Sequence, residues 1–133
     1  MTRYLIAYLG SAAAMAVLDV IWLRLAVKTL YEPAIGTLLS GQTNVPAAAL
    51  FYVLYVLGIL LFATAPALRG GGVATALAMG GAFGFFTYMT YDLTNMATLR
   101  DWPIGLSFVD TAWGCFATGL AATIGKLVSD KLA

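Results

Sequence analysis

The chain has 133 residues, of which 62% are hydrophobic and only 10% charged, and its mean hydropathy is +0.90. A soluble domain is about 45–50% apolar and about 25% charged, so the composition predicts one integral membrane domain, residues 1–133, and excludes a disordered chain. The net charge of +1 excludes a nucleic-acid binder. The chain has no histidine and a single cysteine, which excludes histidine catalysis, most transition-metal sites and an internal disulfide. We therefore expect no cofactor and no metal.

Four long apolar segments lie between the charged residues. A bilayer core about 30 Å thick needs roughly 20 apolar residues per helix, which places spans at about 4–26, 47–67, 72–93 and 104–125. Pro46 and Pro103 lie where the second and fourth spans begin, a position that tolerates proline. The predicted fold is therefore all-α, an integral membrane four-helix bundle.

The first connection, about residues 27–46, is the longest of the three. Its middle, residues 34–39, is more apolar than a freely solvated loop. This favours a short interfacial segment between spans 1 and 2, either a helix or a re-entrant turn over the mouth of the bundle. A plain loop is the alternative.

The N-terminal segment and the basic residues bear on topology. Arg3 and the small residues near Ala14 imitate a secretory signal, but the apolar run continues past Trp22, so we expect a retained span. Four spans place both termini on one side. The side with the termini carries four cations, Arg3, Arg69, Lys126 and Lys131, and the other side carries three, Arg24, Lys28 and Arg100. Cytoplasmic segments carry the excess of Lys and Arg, so both termini are predicted to be cytoplasmic.

Three aspartates lie within or at the ends of apolar spans. With a rise of 1.5 Å per residue, Asp19 lies roughly 6 Å, Asp110 roughly 7 Å and Asp92 roughly 13 Å from the midplane, all on the non-cytoplasmic side. An aspartate at a helix centre costs about 2.5–3.5 kcal/mol on insertion scales, so such residues face the bundle interior and mark functional sites. Three helices thus deliver carboxylates to the same half of the membrane.

Helical spacing places aromatic and amide side chains beside these aspartates. Trp22 follows Asp19 by three residues and Trp113 follows Asp110 by three, so each indole shares a face with a carboxylate to which it can donate a hydrogen bond. The predicted ligand-binding set, completed from spans 2 and 3, is Asp19, Trp22, Tyr55, Tyr88, Tyr91, Asp92, Asn95, Asp110 and Trp113. Tyr52, one turn before Tyr55, faces the same way.

A purely structural reading of the same residues stays open. Arg24 and Lys28 lie one and two turns beyond Asp19, and Arg100 precedes span 4. The aspartates can therefore be explained as groups that pair with these cations and with tyrosine or tryptophan donors and fix helix register. Gly80-x-x-x-Gly84 and Gly10-x-x-x-Ala14 offer close-approach surfaces, either between helices or toward a partner.

Four sequence patterns resemble a known family. They are Leu18-Asp19-x-x-Trp22-Leu23, the stretch from Tyr91 through Asp92 and Asn95 to Leu99, Trp102-Pro103, and Asp110-x-x-Trp113-Gly114. Together they resemble the bacterial membrane proteins grouped as domain of unknown function 2177, over nearly the whole chain. The resemblance implies a small multi-pass protein of the bacterial inner membrane and supplies no activity.

Three functions are compatible with these features. The first is a protein that binds or transports a small cation, a proton-coupled solute or an amphiphile through the aspartates and their aromatic neighbours, with the lipid bilayer as its surroundings and a homodimer expected for alternating access. The second is a membrane enzyme of lipid, quinone or isoprenoid modification, with Asp92 and Asp110 as acid and base. The third is a structural or assembly subunit.

Overall fold

The computed structural model describes residues 1–133, and every regular element in it is helical. Three helical stretches are long and apolar enough to cross a membrane: Thr2–Leu38, Val45–Thr98 and Ile104–Leu132. The all-helical fold is therefore confirmed, with three such stretches where the sequence predicts four spans. The second stretch has 54 residues, far more than the roughly 20 needed for one crossing.

Five α-helices, named α1 to α5 in chain order, are Thr2–Ala26, Glu32–Ile35, Val45–Ile59, Gly72–Thr98 and Ile104–Leu132. Wide helical turns at Val27–Tyr31 and Leu60–Thr64 extend α1 and α3. Helix α3 begins with a polar cap, because the Asn44 side-chain oxygen accepts a 3.1 Å hydrogen bond from the backbone N–H of Ala47. Helix α5 starts directly after Pro103.

The stretch Val45–Thr98 folds back on itself. Gly70 and Gly72 have φ of +119° and +78°, a region that glycine enters without the steric penalty of a side chain. The ring centroids of Phe62 and Phe83 lie 5.6 Å apart. In one continuous helix these residues would be separated by roughly 30 Å. Helices α3 and α4 therefore run side by side in opposite directions.

Glycines allow the helices to pack at backbone distance. A Cβ built on Gly84 of α4 would lie 2.1 Å from the carbonyl oxygen of Gly114 on α5, and one on Gly114 would lie 2.1 Å from the Tyr88 ring. A Cβ on Gly10 of α1 would lie 3.3 Å from the Cα of Gly125 on α5. The glycines predicted to provide close-approach surfaces are thus used inside this chain.

The core consists of small side chains, and the large apolar ones point outward. Buried alanines of α4 and α5 pack around Met15 and Ile59, which are both fully buried. Phe86 and Phe108 are 60% and 73% exposed. An extensive apolar exterior of this kind suits a protein surrounded by lipid.

Hydrogen bonds gather both chain termini at one end of the bundle. The guanidinium of Arg3 donates to the carbonyl of Leu68, just before the α3–α4 turn. The hydroxyl of Ser129, near the end of α5, donates to the carbonyl of Arg3 at 2.7 Å. The α1–α3 and α4–α5 connections consequently lie at the opposite end.

The connection from α1 to α3 is helical as far as Leu38 and is packed onto that opposite end. The indole N–H of Trp22 donates a 3.0 Å hydrogen bond to the hydroxyl of Tyr31, although a straight helix would hold these residues on opposite faces. Ile35 packs against Trp102 and Leu106 at the start of α5. Residues 27–38, called the cover segment below, therefore turn back over the end of the bundle and do not form a plain loop.

Candidate functional site

A cavity of about 620 Å³ lies between α1, α3, α4 and α5 at the covered end of the bundle. This volume falls within the range of about 300–1,000 Å³ that is usual for small-molecule sites. Nine of its twelve lining residues are hydrophobic. The twelve are Asp19, Trp22, Leu23, Tyr31, Phe51, Tyr52, Tyr55, Thr87, Tyr88, Tyr91, Asp110 and Trp113.

Asp19 of α1 is one of two acidic groups on the cavity wall. Its carboxylate accepts a hydrogen bond from the hydroxyl of Tyr52 on α3. The indole of Trp113 lies beside it, but the Nε1–H of that indole has no partner of ordinary hydrogen-bond geometry. Asp19 thus lines the cavity with the hydroxyl of Tyr52 as its hydrogen-bond donor.

Asp110 of α5 is the second acidic group, and it is 7% exposed. Its Oδ1 accepts a hydrogen bond from the hydroxyl of Tyr31 in the cover segment. Tyr31 in turn accepts the indole hydrogen bond of Trp22. Two hydrogen bonds thus link Trp22, Tyr31 and Asp110, and they connect the cover segment to the cavity wall.

Asp92 of α4 lies behind Asp110 and does not line the cavity. It is 1% exposed, and its Oδ2 accepts a 3.2 Å hydrogen bond from the hydroxyl of Thr111. Its Oδ1 is buried and has no donor, and Thr111, the donor to its other oxygen, is the neighbour of Asp110 on α5. Asp92 and Asp110 therefore form a buried carboxyl pair, of which only Asp110 reaches the cavity.

Aromatic rings form the remaining walls. The indoles of Trp22 and Trp113 stack in parallel, with ring centroids 4.5 Å apart and an interplanar angle of 7°. Tyr55 packs edge-to-face against Tyr88 at 6.2 Å. The hydroxyl of Tyr55 is held 2.7 Å from that of Thr118, which fixes its ring against the inner end of the cavity. The walls are thus rigid and rich in π-surface.

No basic side chain lines the cavity. Arg24 and Lys28 are exposed, and the one ion pair between side chains in the structure joins Lys126 to Asp130 on α5. The ion pairing that the structural reading expects for the aspartates is therefore wrong, whereas the tyrosine donors of that reading are present at Asp19 and Asp110. The two cavity carboxylates are held by hydroxyl donors and are not neutralised by a cation of the chain.

The three aspartates do not form one cluster. No group of three or more Asp, Glu, His or Cys side chains is close enough to hold a metal ion. Asp92 and Asp110 form a pair, whereas Asp19 faces the cavity from α1 with Tyr52 as its donor. Of the three aspartates in the predicted ligand-binding set, Asp19 and Asp110 lie on the cavity wall and Asp92 does not.

Seven of the nine residues predicted for the site line the cavity, and two do not. Asp92 is covered by Asp110, and Asn95 is half-buried beside Tyr91, one turn farther along α4. Tyr31, Phe51 and Leu23 line the cavity and are not in the predicted set. Tyr31 could have been found from the apolar connection around it, since a packed cover segment brings its own side chains to the mouth.

The predicted pairing of each aspartate with an indole on its own helix is wrong. Trp22 donates to Tyr31 and not to Asp19, and the indole of Trp113 lies beside Asp19 rather than bonding to Asp110. A spacing of three residues places two side chains on one face of a helix. The hydrogen-bond donors to the two carboxylates come instead from α3 and from the cover segment.

The family to which the chain belongs follows from one comparison. The model of the family described as "Predicted membrane protein (DUF2177)" matches residues 4–127, a range that includes every residue of the cavity wall. Comparisons with curated proteins and with solved structures found no match. The resemblance indicated by the sequence motifs is confirmed: the chain belongs to the DUF2177 family of membrane proteins.

Proposed function

We propose that the chain crosses the membrane four times as a single domain, with spans near 4–26, 47–67, 72–93 and 104–125. The reversal at Gly70 and Gly72 supports two crossings within the stretch Val45–Thr98. The rings of Phe62 and Phe83, on either side of that reversal, are in contact. Each resulting segment has the length that one crossing requires.

We further propose that the protein lies in the bacterial inner membrane with both termini in the cytoplasm. The hydrogen bonds of Arg3 to Leu68 and of Ser129 to Arg3 bring both termini and the α3–α4 turn to the same end. That end also carries Arg69, Lys126 and Lys131, as the positive-inside rule favours. The cavity then opens on the non-cytoplasmic side.

We propose that the cavity binds a small amphiphilic organic cation. The observation that carries this proposal is the pair of carboxylates, Asp19 and Asp110, on an aromatic wall without any basic side chain. A cation satisfies both carboxylates, and the faces of Trp22 and Trp113 attract positive charge through their π-electrons by about 0.5–2 kcal/mol. The apolar remainder of the wall suits an apolar substituent on the same molecule.

The geometry favours binding over acid–base catalysis. Catalysis by Asp92 and Asp110 as acid and base would require both to reach the substrate, and Asp92 is buried behind the wall. Asn95 lies outside the cavity as well, whereas Tyr91 lines it. Of the acid and base pair, only Asp110 can touch a molecule in the cavity.

The test uses tetraphenylphosphonium, a cation with four apolar rings, and tetraphenylborate, an anion of the same shape. Both are titrated calorimetrically into the purified protein in detergent. We expect the wild type to bind the cation and not the anion. Charge-assisted contacts contribute about 1.5–3 kcal/mol, so Asp19→Asn and Asp110→Asn should each weaken cation binding by at least about tenfold.

The matched control is Asp130→Asn, which removes an exposed carboxylate at the far end of α5 and should bind like the wild type. Gel filtration and thermal unfolding of each variant show whether a loss of binding is a loss of fold. Equal binding of the two probes, or unchanged cation binding by folded Asp19→Asn and Asp110→Asn, would contradict the proposal.

A further inference from the structure

The carboxyl pair behind the cavity wall has no role in binding as proposed above. Asp92 is 1% exposed, and its Oδ1 makes no hydrogen bond. Leaving a buried polar atom without a partner costs about 1–3 kcal/mol, so this oxygen requires a hydrogen-bond donor. Thr111 donates to the other oxygen of Asp92 at 3.2 Å, so the buried carboxyl of Asp110, the residue next to Thr111 on α5, is the candidate partner.

Two ionised carboxylates cannot satisfy each other, because both have only acceptor oxygens. A single proton between them changes one into a donor and forms an O–H···O⁻ hydrogen bond, the strong charge-assisted kind. Like charges in contact favour such sharing, as in other paired carboxyl groups. One proton on the pair therefore satisfies Asp92 Oδ1 and removes the repulsion.

No lysine or arginine forms an ion pair with Asp92 or Asp110, so no cation of the chain stabilises the doubly ionised pair. The ionisable side chains on the cavity side of the pair are all acidic or phenolic, and they come from the cover segment, α4 and, across the cavity, α1, α3 and α4. They are Tyr31, Tyr91, Asp19, Tyr52, Tyr55 and Tyr88. No arginine or lysine is among them, and Thr111 donates only to Asp92 Oδ2.

We propose that Asp92 and Asp110 hold one proton between them and release it when an organic cation occupies the cavity, so that cation and proton binding exclude each other. This inference rests on the proposed function for its second half only. Asp110 belongs to the pair and to the cavity wall at once, whereas Asp92 belongs to the pair alone. A cation placed against Asp110 supplies the positive charge that the proton had supplied.

The exchange conserves charge. The O–H bond of the carboxyl pair breaks, the proton passes to water at the cavity mouth, and both carboxylates are left ionised beside the bound cation. Tyr31 keeps its hydroxyl proton and continues to donate to Asp110. One proton leaves for each cation that enters, and the charge buried at this end of the bundle does not change.

Calorimetry with tetraphenylphosphonium tests the exchange, because this cation carries no ionisable proton. Titrations between about pH 5 and 8 in two buffers of different ionisation enthalpy give the number of protons released per cation bound. We expect a value near one where the pair is protonated, and there each unit of pH decrease should weaken binding about tenfold. Asp92→Asn is expected to bind with no proton release, and Asp130→Asn to release the proton as the wild type does.

Infrared spectroscopy of the ligand-free protein tests the pair independently of any cation. We expect a carbonyl band of a protonated carboxylic acid in the wild type, absent from Asp92→Asn and retained in Asp130→Asn. If this band is present but tetraphenylphosphonium does not bind, the proposed function fails and the proton site stands. Absence of the band, or binding with no proton released at any pH, overturns the inference even where cation binding is confirmed.

Discussion

The contact between α4 and α5 makes Gly84 the most demanding position in the fold. A Cβ at Gly84 would lie 2.1 Å from the backbone oxygen of Gly114 and 2.7 Å from the Cβ of Thr118. Ordinary contacts begin near 3.4 Å, so Gly84→Ala forces the two backbones apart by about 1 Å. Overpacking of this kind costs about 1–3 kcal/mol, and because the obstacle is backbone we expect the upper end, about 3 kcal/mol.

Gly81, on the same helix, provides the matched control. A Cβ there would meet the Sγ of Cys115 at 3.5 Å and its carbonyl oxygen at 3.7 Å, both ordinary van der Waals distances. Both substitutions gain the same helix propensity, about 1 kcal/mol, so the comparison isolates the packing effect. Reversible unfolding in mixed detergent micelles, followed by circular dichroism, measures the free energy of unfolding of each variant. Equal stability of Gly84→Ala and Gly81→Ala would refute the packing of α4 against α5 described above.

Two further predictions concern hydrogen bonds and ion pairs. Tyr55→Phe removes the hydroxyl 2.7 Å from that of Thr118 and should lower the free energy of unfolding by about 0.6 kcal/mol, the average for hydrogen bonds between membrane helices, and by at most about 1.7 kcal/mol. No loss in the same unfolding assay would show that this contact contributes nothing. Lys126→Ala breaks an i,i+4 pair with the exposed Asp130, and such pairs contribute about 0.3–0.5 kcal/mol, so a loss above about 1 kcal/mol would contradict this assignment.

The distribution of charge along the chain was sufficient to predict an all-helical membrane protein and most of the cavity wall. Long uncharged runs leave few structural choices in a bilayer, because the backbone must satisfy its own hydrogen bonds there. Asp19 and Asp110 were found by the same logic, since an acidic residue in such a run turns inward. These inferences need only one helix at a time.

The contacts between helices were not predictable in this way. The donors to Asp19 and Asp110 are Tyr52 and Tyr31, which come from another helix and from the cover segment. Spacing along a helix determines which side chains share a face, whereas the partner across an interface depends on how closely the backbones approach. Here Gly84 and other glycines set that approach.

The depth of Asp92 shows how a small error in helix bounds changes a site. The sequence placed Asp92 roughly 6 Å farther out than Asp110, near the interface. Helix α4 extends to Thr98 and α5 to Leu132, which shifts both midpoints along the chain. From the observed bounds, Asp92 and Asp110 lie roughly 10 Å and roughly 12 Å from their helix midpoints, so they meet at one level. The cover segment then buries these two carboxyl groups, which their depth alone would leave exposed to water.

Asp19 and Asp110 do not need their charge for the hydrogen bonds that they accept. The hydroxyls of Tyr52 and Tyr31 would donate equally well to the amide oxygen of an asparagine, so neither hydrogen bond requires a charge. A carboxylate within a membrane helix costs about 2.5–3.5 kcal/mol on insertion scales, and no basic side chain here offsets it. Asp19→Asn and Asp110→Asn should therefore unfold no more readily than the wild type in the detergent assay, although they lose the cation. Lower stability with unchanged cation binding would instead identify these carboxylates as structural, because only a folding role would then require their charge.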